Sequence, residues 1–145
     1  MGDKLFEEYV EKMAFSSDAA DIVKECLVVR MITGPVVQVT PTDTGVYRII
    51  ARSMVYVPLN SWRGVDYKIN SINSKMDAGS FYCDDDGEII FRSHLQKRNA
   101  DACALSISIK AAGCRLMNHL SDITKVAEEY SDNQEYRIVD QEANR

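Results

Sequence analysis

The chain has 145 residues, of which 46% are hydrophobic and 27% charged, and carries a formal charge of −5 at pH 7. That length suffices for one domain with a sizeable core, and the composition is ordinary for a soluble globular protein. The acidic balance argues against nucleic acid or anionic lipid as the partner, since both call for a basic face, and no apolar run approaches the ~18 residues a membrane span needs.

The first residues, Met-Gly-Asp-Lys-Leu-Phe-Glu-Glu, are acidic and lack the apolar segment of a signal peptide. Gly2 suits N-myristoylation, but Phe6 stands where that motif wants Ser or Thr. A cytoplasmic protein is expected. Its four cysteines, Cys26, Cys83, Cys103 and Cys114, form no C-x-x-C pair and read as reduced, buried thiols.

Residues 3–14 read as a helix, with Phe6, Tyr9, Val10 and Met13 on one stripe and Asp3 at the positive end of the dipole. Ser16-Ser17-Asp18 looks like a break and a new cap, and the spacing of Ile22, Val23 and Cys26 predicts a second helix from Asp18 to about Cys26. Leu27 to Thr33 is open between a strand, which its β-branched content favours, and the end of that helix before Gly34-Pro35. Val36–Thr40, a turn over 41–45, and Val46–Arg52 read as strand, turn, strand; Met54–Val57 either adds a third strand or prolongs the second.

Trp62, Val65, Ile69, Ile72 and Met76 recur at steps of three and four, the stripe of an amphipathic helix. Asn60 and Ser61 stand as its caps, Pro58 lies just outside, and Gly79 sits where a left-handed residue would end it. From Gly79 to Arg92 the pattern changes to alternation around Asp85-Asp86-Gly87. A three-residue hairpin loop with glycine in the left-handed position pairs Phe81 with Phe91 and Cys83 with Ile89 on one face, and Tyr82 with Ile90 on the other. After a polar joint, with Asn99 as cap, Leu105, Ile109, Ala112, Leu116, Leu120, Ile123, Val126 and Tyr130 hold helical spacing, with room for a kink near Gly113. The tail from Ser131 is expected to be loose, with Tyr136, Ile138 and Val139 forming a short strand or docking locally.

Chemistry is sparse. The run Asp84-Asp85-Asp86-Gly87-Glu88 lacks the alternate-position oxygens and final glutamate of a calcium loop, and reads as a turn. Cys103 and Cys114 are ~16 Å apart along a helix, too far for one zinc ion, so no metal and no cofactor is expected. Cys83 has aspartate beside it, which raises a thiol pKa; Cys103, in the first turn of a helix, is the one cysteine with a helix dipole to favour thiolate. No nucleophile elbow, phosphate loop or zinc-protease motif is present, so no catalytic residue is assigned.

The segment from Tyr67 to Leu95 resembles the YbjN-like family of bacterial sensory transduction regulators, with Ile69, Asn70, Ile72, Asn73, Gly79, Phe81, Gly87, Ile89 and Arg92 at the matching places. The likeness runs over about residues 60–130, contains no sharp motif, and weakens at the front, where a second helix departs from the family's single leading one. It implies an α+β fold, an antiparallel sheet with helices packed mainly on one face, type III secretion chaperone-like. It also implies a non-enzymatic role through protein contact, often as a homodimer.

The expected function is therefore a protein-interaction module, chaperone-like or regulatory, in a single domain over residues 1–145. Its partner would bind the exposed sheet face or edge, with Tyr82 and Ile90 as the contact surface unless a further helix covers them. The alternative is a small-ligand pocket between sheet and helices near Trp62, and a third reading is an enzyme using Cys103.

Overall fold

A computed structural model describes the backbone of residues 2–143 and the side chains of residues 2–129. Three helices and six strands follow in the order α1 (Lys4–Lys12), β1 (Ala19–Val23), β2 (Cys26–Arg30), β3 (Val36–Pro41), β4 (Val46–Tyr56), α2 (Trp62–Asn73), β5 (Ser80–Cys83), β6 (Glu88–Gln96) and α3 (Ala102–Ala143), with single turns of 3₁₀ helix at Leu59–Ser61 and Lys97–Asn99. The strands form one antiparallel sheet of spatial order β1-β2-β3-β4-β6-β5. Alternation decides its inner face: Leu27 and Val29, Val37 and Val39, Tyr47, Ile49 and Ala51, and Ile89 and Phe91 all point to the helices and are buried. Against them pack Phe6 and Tyr9 of α1, Val65 and Ile69 of α2, and Leu105, Ile109, Leu116 and Ile123 of α3. The architecture is α+β, with the helices on one face of the sheet.

The front of the chain corrects the sequence reading. Residues 18–26 are not a helix. Ala19–Val23 pairs antiparallel with Cys26–Arg30, so Lys24 and Glu25 make a two-residue turn, both at positive φ (49° and 68°) as a type I′ turn requires. The three apolar residues that suggested a helix face lie on the hairpin instead, and Ile22 and Val23 stay exposed. Asp18 is no helix cap; its carboxylate accepts from the Ile32 amide across the hairpin mouth. The Leu27–Thr33 segment resolves as strand through Arg30, and Met54–Val57 prolongs β4 rather than starting a strand, through an irregularity at which Met54 takes φ 59°.

The α2–hairpin unit follows the sequence closely, except at its caps. Ser61 makes no capping bond; its hydroxyl donates to the Pro58 carbonyl. The helix ends at Asn73, six residues before Gly79. Gly79 serves another need: at φ 78°, a Cβ there would lie within 3 Å of the Phe91 ring and the Arg92 carbonyl. Asn73 is the joint between helix and hairpin. Its carboxamide donates to the Phe81 carbonyl (2.9 Å) and accepts from the Phe81 amide (2.7 Å), as a neighbouring strand would. The hairpin register is the expected one, Phe81 opposite Phe91, Tyr82 opposite Ile90 and Cys83 opposite Ile89. The Asp84 side chain accepts from Asp86 and Glu88 and shapes the loop.

At α3 the cap is Asp101, which accepts from the Ala104 amide, while Asn99 closes the preceding 3₁₀ turn. Gly113 is a site of close approach: a Cβ there would strike the Met31 sulfur, so β2 and its turn lie against the helix. The backbone is helical to Ala143, so the short strand expected near Tyr136 does not form. Docking by Tyr136, Ile138 and Val139, and the looseness expected from Ser131 onward, lie outside the described side chains.

Candidate partner-binding face

With the helices on one side, the opposite side of the sheet is left to solvent. Tyr82 and Ile90, the two residues singled out from the sequence, are cross-strand partners on it. Neither belongs to the buried cluster on which the helices pack. They differ in exposure. Tyr82 is half-buried, with the Arg92 guanidinium 5.3 Å above its ring centroid. Ile90 is only 5% exposed, flanked by Tyr82 on one strand and Arg52 on the other. Tyr82 can touch a partner directly; Ile90 supports it from below.

The same face carries a pattern that no sequence motif announces. Arg52, Ile90 and Tyr82 lie in one row across the sheet, continued through Val36 to Arg30 on β2. The next row runs from Val28 through Gln38 and Ile50 to Arg92, and beyond it Arg48 stands opposite His94. Arg30, Arg48 and Arg92 are exposed, while Val28, Val36 and Ile50 between them are half-buried. Their signal in the sequence was alternation: in Val46 to Arg52 the inward residues are Tyr47, Ile49 and Ala51, so Arg48 and Arg52 had to point out.

Arg52 is held differently from the other three. Its Nε and Nη2 both donate to Glu88 Oε1 (3.1 and 2.7 Å), and the other carboxylate oxygen accepts from the Met54 amide at 3.0 Å. Glu88 is fully buried, and its hydrogen bond raises the Arg52 pKa. Glu88 thus has a partner for each oxygen, which a buried carboxylate needs, and it pins the irregular stretch of β4 against β6. Read from the sequence, Glu88 was one more member of an acidic turn. Its real partner is 36 residues away.

The remaining candidates are scattered. Cys103 and Cys114 are exposed on α3, while Cys26 and Cys83 are half-buried, so the expectation of four buried thiols fails for the helix pair. Burial, then Asp66 and Asp84, push the Cys83 thiol up to about 11. Its sequence neighbour acts in the expected direction, but burial is the larger cause. Among the described residues no three His, Cys, Asp or Glu side chains cluster as metal ligands, and no helix is long and apolar enough to cross a membrane. Trp62 packs on Gly87 and donates its indole N–H to the Val57 carbonyl at 2.9 Å. The groove beside it, about 430 Å³, is lined by Val55, Tyr56, Pro58, Thr124 and Glu128 among others.

No family model matches the chain, and no curated protein matches it. Solved structures do. The type III secretion chaperone SycH of Yersinia pestis, in complex with a stable fragment of YscM2, aligns over 85% of this chain and 97% of its own, at 15% identity and a TM-score of 0.54. The fold is type III secretion chaperone-like. The heterodimeric ExoU–SpcU complex of Pseudomonas aeruginosa aligns over 86% of this chain and 91% of its own at 18% identity, with a TM-score of 0.47.

Proposed function

We propose that this chain is a non-enzymatic protein-interaction module, chaperone-like or regulatory, that binds a protein partner through the outer sheet face or a sheet edge. The observation that carries the reading is the face itself: a six-stranded sheet with one side uncovered, on which apolar residues and a half-exposed tyrosine are set in rows. The shared fold supports it, because SycH is a chaperone seen with a protein fragment bound. The YbjN-like resemblance of residues 60–130 supports a regulatory form of the same role. In this reading the protein is cytoplasmic, forms one domain and works as a homodimer.

The test uses the full chain. Its mass in solution is measured by sizing with light scattering, and protein partners are captured from the native cell and then titrated individually. Tyr82→Ala removes a half-exposed ring that is not part of the core cluster, and is expected to weaken partner binding at least tenfold while the melting temperature stays within a few degrees. Undiminished binding by that variant would remove Tyr82 from the surface. A saturable rise in melting temperature with a metabolite, and no protein partner, would favour the groove beside Trp62 instead.

A further inference from the structure

The outer sheet face has a charge opposite to that of the chain it belongs to. Its strand positions hold four arginines, Arg30, Arg48, Arg52 and Arg92, against two acids, Asp21 and Glu88, and no lysine, so the face is net +2 on a chain whose formal charge is −5. One of the acids, Glu88, is already consumed by Arg52 in the one ion pair among the described residues. Arg30, Arg48 and Arg92 stand exposed without a carboxylate partner. Three like charges on one side of a sheet repel each other, and apart from the stacking of Arg92 on Tyr82 their outward positions would accept any polar residue. Arginine is also the residue suited to two-point recognition of a carboxylate.

Resting on the protein-binding reading above, we propose that this face docks an acidic segment of a protein partner, its carboxylates on Arg30, Arg48 and Arg92 and its apolar residues on Val28, Val36 and Ile50. The lattice of the sheet sets the spacing. Arg48 and Arg92 lie on neighbouring strands two residues out of register, ~8 Å apart, and Arg30 lies ~16 Å from each of them. An extended segment covers those distances in about two and about five residues, so the partner has acidic residues at those intervals with aliphatic residues between them. Nucleic acid fits less well. The residues interleaved with the three arginines are aliphatic rather than aromatic, Tyr82 already lies under Arg92, the other tyrosine of the face, Tyr56, stands at its far end opposite Glu88, and the rest of the chain would repel a polyanion.

The probe is a fluorescein-labelled 14-residue peptide with two glutamates two residues apart, a third five residues further on, and valine or leucine among the rest, titrated into the full chain by anisotropy. The controls are the same peptide with lysine for glutamate, and a single-stranded oligonucleotide of equal length. The glutamate peptide is expected to bind at least tenfold tighter than the lysine peptide and to weaken with added salt. The combined variant Arg30→Glu, Arg48→Glu, Arg92→Glu is expected to reverse that preference. Should that variant fail to fold, the single variants Arg48→Gln and Arg92→Gln each carry the test, with an expected loss of at least threefold. Equal affinity for the two peptides, an unchanged variant, or tighter binding of the oligonucleotide would overturn the proposal. A protein partner that binds the wild type and the charge-reversed chain equally would overturn the acidic assignment alone and leave the protein-binding reading standing.

Discussion

The sheet ends in two hairpins, β5–β6 on one side and β1–β2 on the other, and they are built on different principles. In β5–β6 the inward residues include Phe81, Ile89 and Phe91, all 2% exposed or less, with the two phenylalanine rings 5.1 Å apart and the His119 ring edge-on to Phe81. The outer edge of β5 is engaged by Asn73, which takes both backbone groups of Phe81. In β1–β2, β1 leaves Ile22 and Val23 exposed and turns through two residues that each hold an unfavoured backbone angle. One hairpin is part of the core. The other is core only in β2, through Leu27 and Val29; its outer strand β1 is an extension of the sheet that relies largely on main-chain pairing, an edge of the kind that accepts a further strand.

The largest effect expected is therefore on the inner rings. Phe91→Ala removes a fully buried ring and is expected to cost ~3–5 kcal/mol, while Ile22→Ala at the opposite edge should cost less than ~1 kcal/mol. Urea denaturation of the two variants measures the difference, and equal losses would mean that β1 is as much a part of the core as β6. Glu88→Ala comes next, at ~3 kcal/mol, because the Met54 amide and the Arg52 guanidinium lose their shared acceptor. Glu88→Gln should recover part of that loss by keeping an acceptor. Asn73→Ala is expected to cost ~1–3 kcal/mol, since both Phe81 groups lose a partner at once. Its more specific signature is faster hydrogen exchange at the Phe81 amide, with β1–β2 unchanged.

The two hairpins also differed in how openly the sequence announced them, for the same physical reason. An Asp-Asp-Gly loop between alternating aromatic and aliphatic residues names both the turn and the register, and every cross-strand pair read from it holds. Lys24-Glu25 carries no Gly, Asn or Asp, and an edge strand with four of its five residues exposed shows no hydrophobic alternation, so helical spacing over residues 18–26 was all that remained to read. The candidate face was half legible. Tyr82 and Ile90 follow from the hairpin register alone. The arginines did not emerge from composition, because a net charge sums over both faces, and Glu88 was hidden in the acidic turn because its partner sits on another strand.

Alkali should also act on the buried hairpin. The Cys83 thiol is held at about 11 against an ordinary value near 9, chiefly by burial. The folded state therefore keeps this proton more tightly than the unfolded chain, and the associated stability is complete below about pH 9 and is lost as pH rises through 11. Tyr47, whose hydroxyl donates to Asp3 at 2.7 Å, is pushed up to about 12 by burial first and Asp3 second, and extends the loss toward pH 12. Cys83→Val should flatten the stability curve between pH 9 and 11 and leave the Tyr47 portion in place. An unchanged slope would mean that the thiol is as well solvated in the folded chain as in the unfolded one.

The smallest effect is expected at the β1–β2 turn, and it has the opposite sign. Lys24 and Glu25 hold φ values that suit Asn and Gly, so the double substitution Lys24→Asn, Glu25→Gly relieves the folded state. Glycine also widens the unfolded ensemble, which offsets part of the gain, and a net stabilisation of ~0.5–1 kcal/mol is expected. The size of that gain measures how far β1–β2 is coupled to the rest. If the hairpin unfolds with the core, the whole gain appears in the global urea midpoint. If it opens on its own, the midpoint stays put and only hydrogen exchange in β1 slows. The second outcome would make β1 an edge that opens and re-pairs at low cost, ready to accept a strand from a partner. The first would make it a fixed border and leave the arginine face as the surface on which a partner must dock.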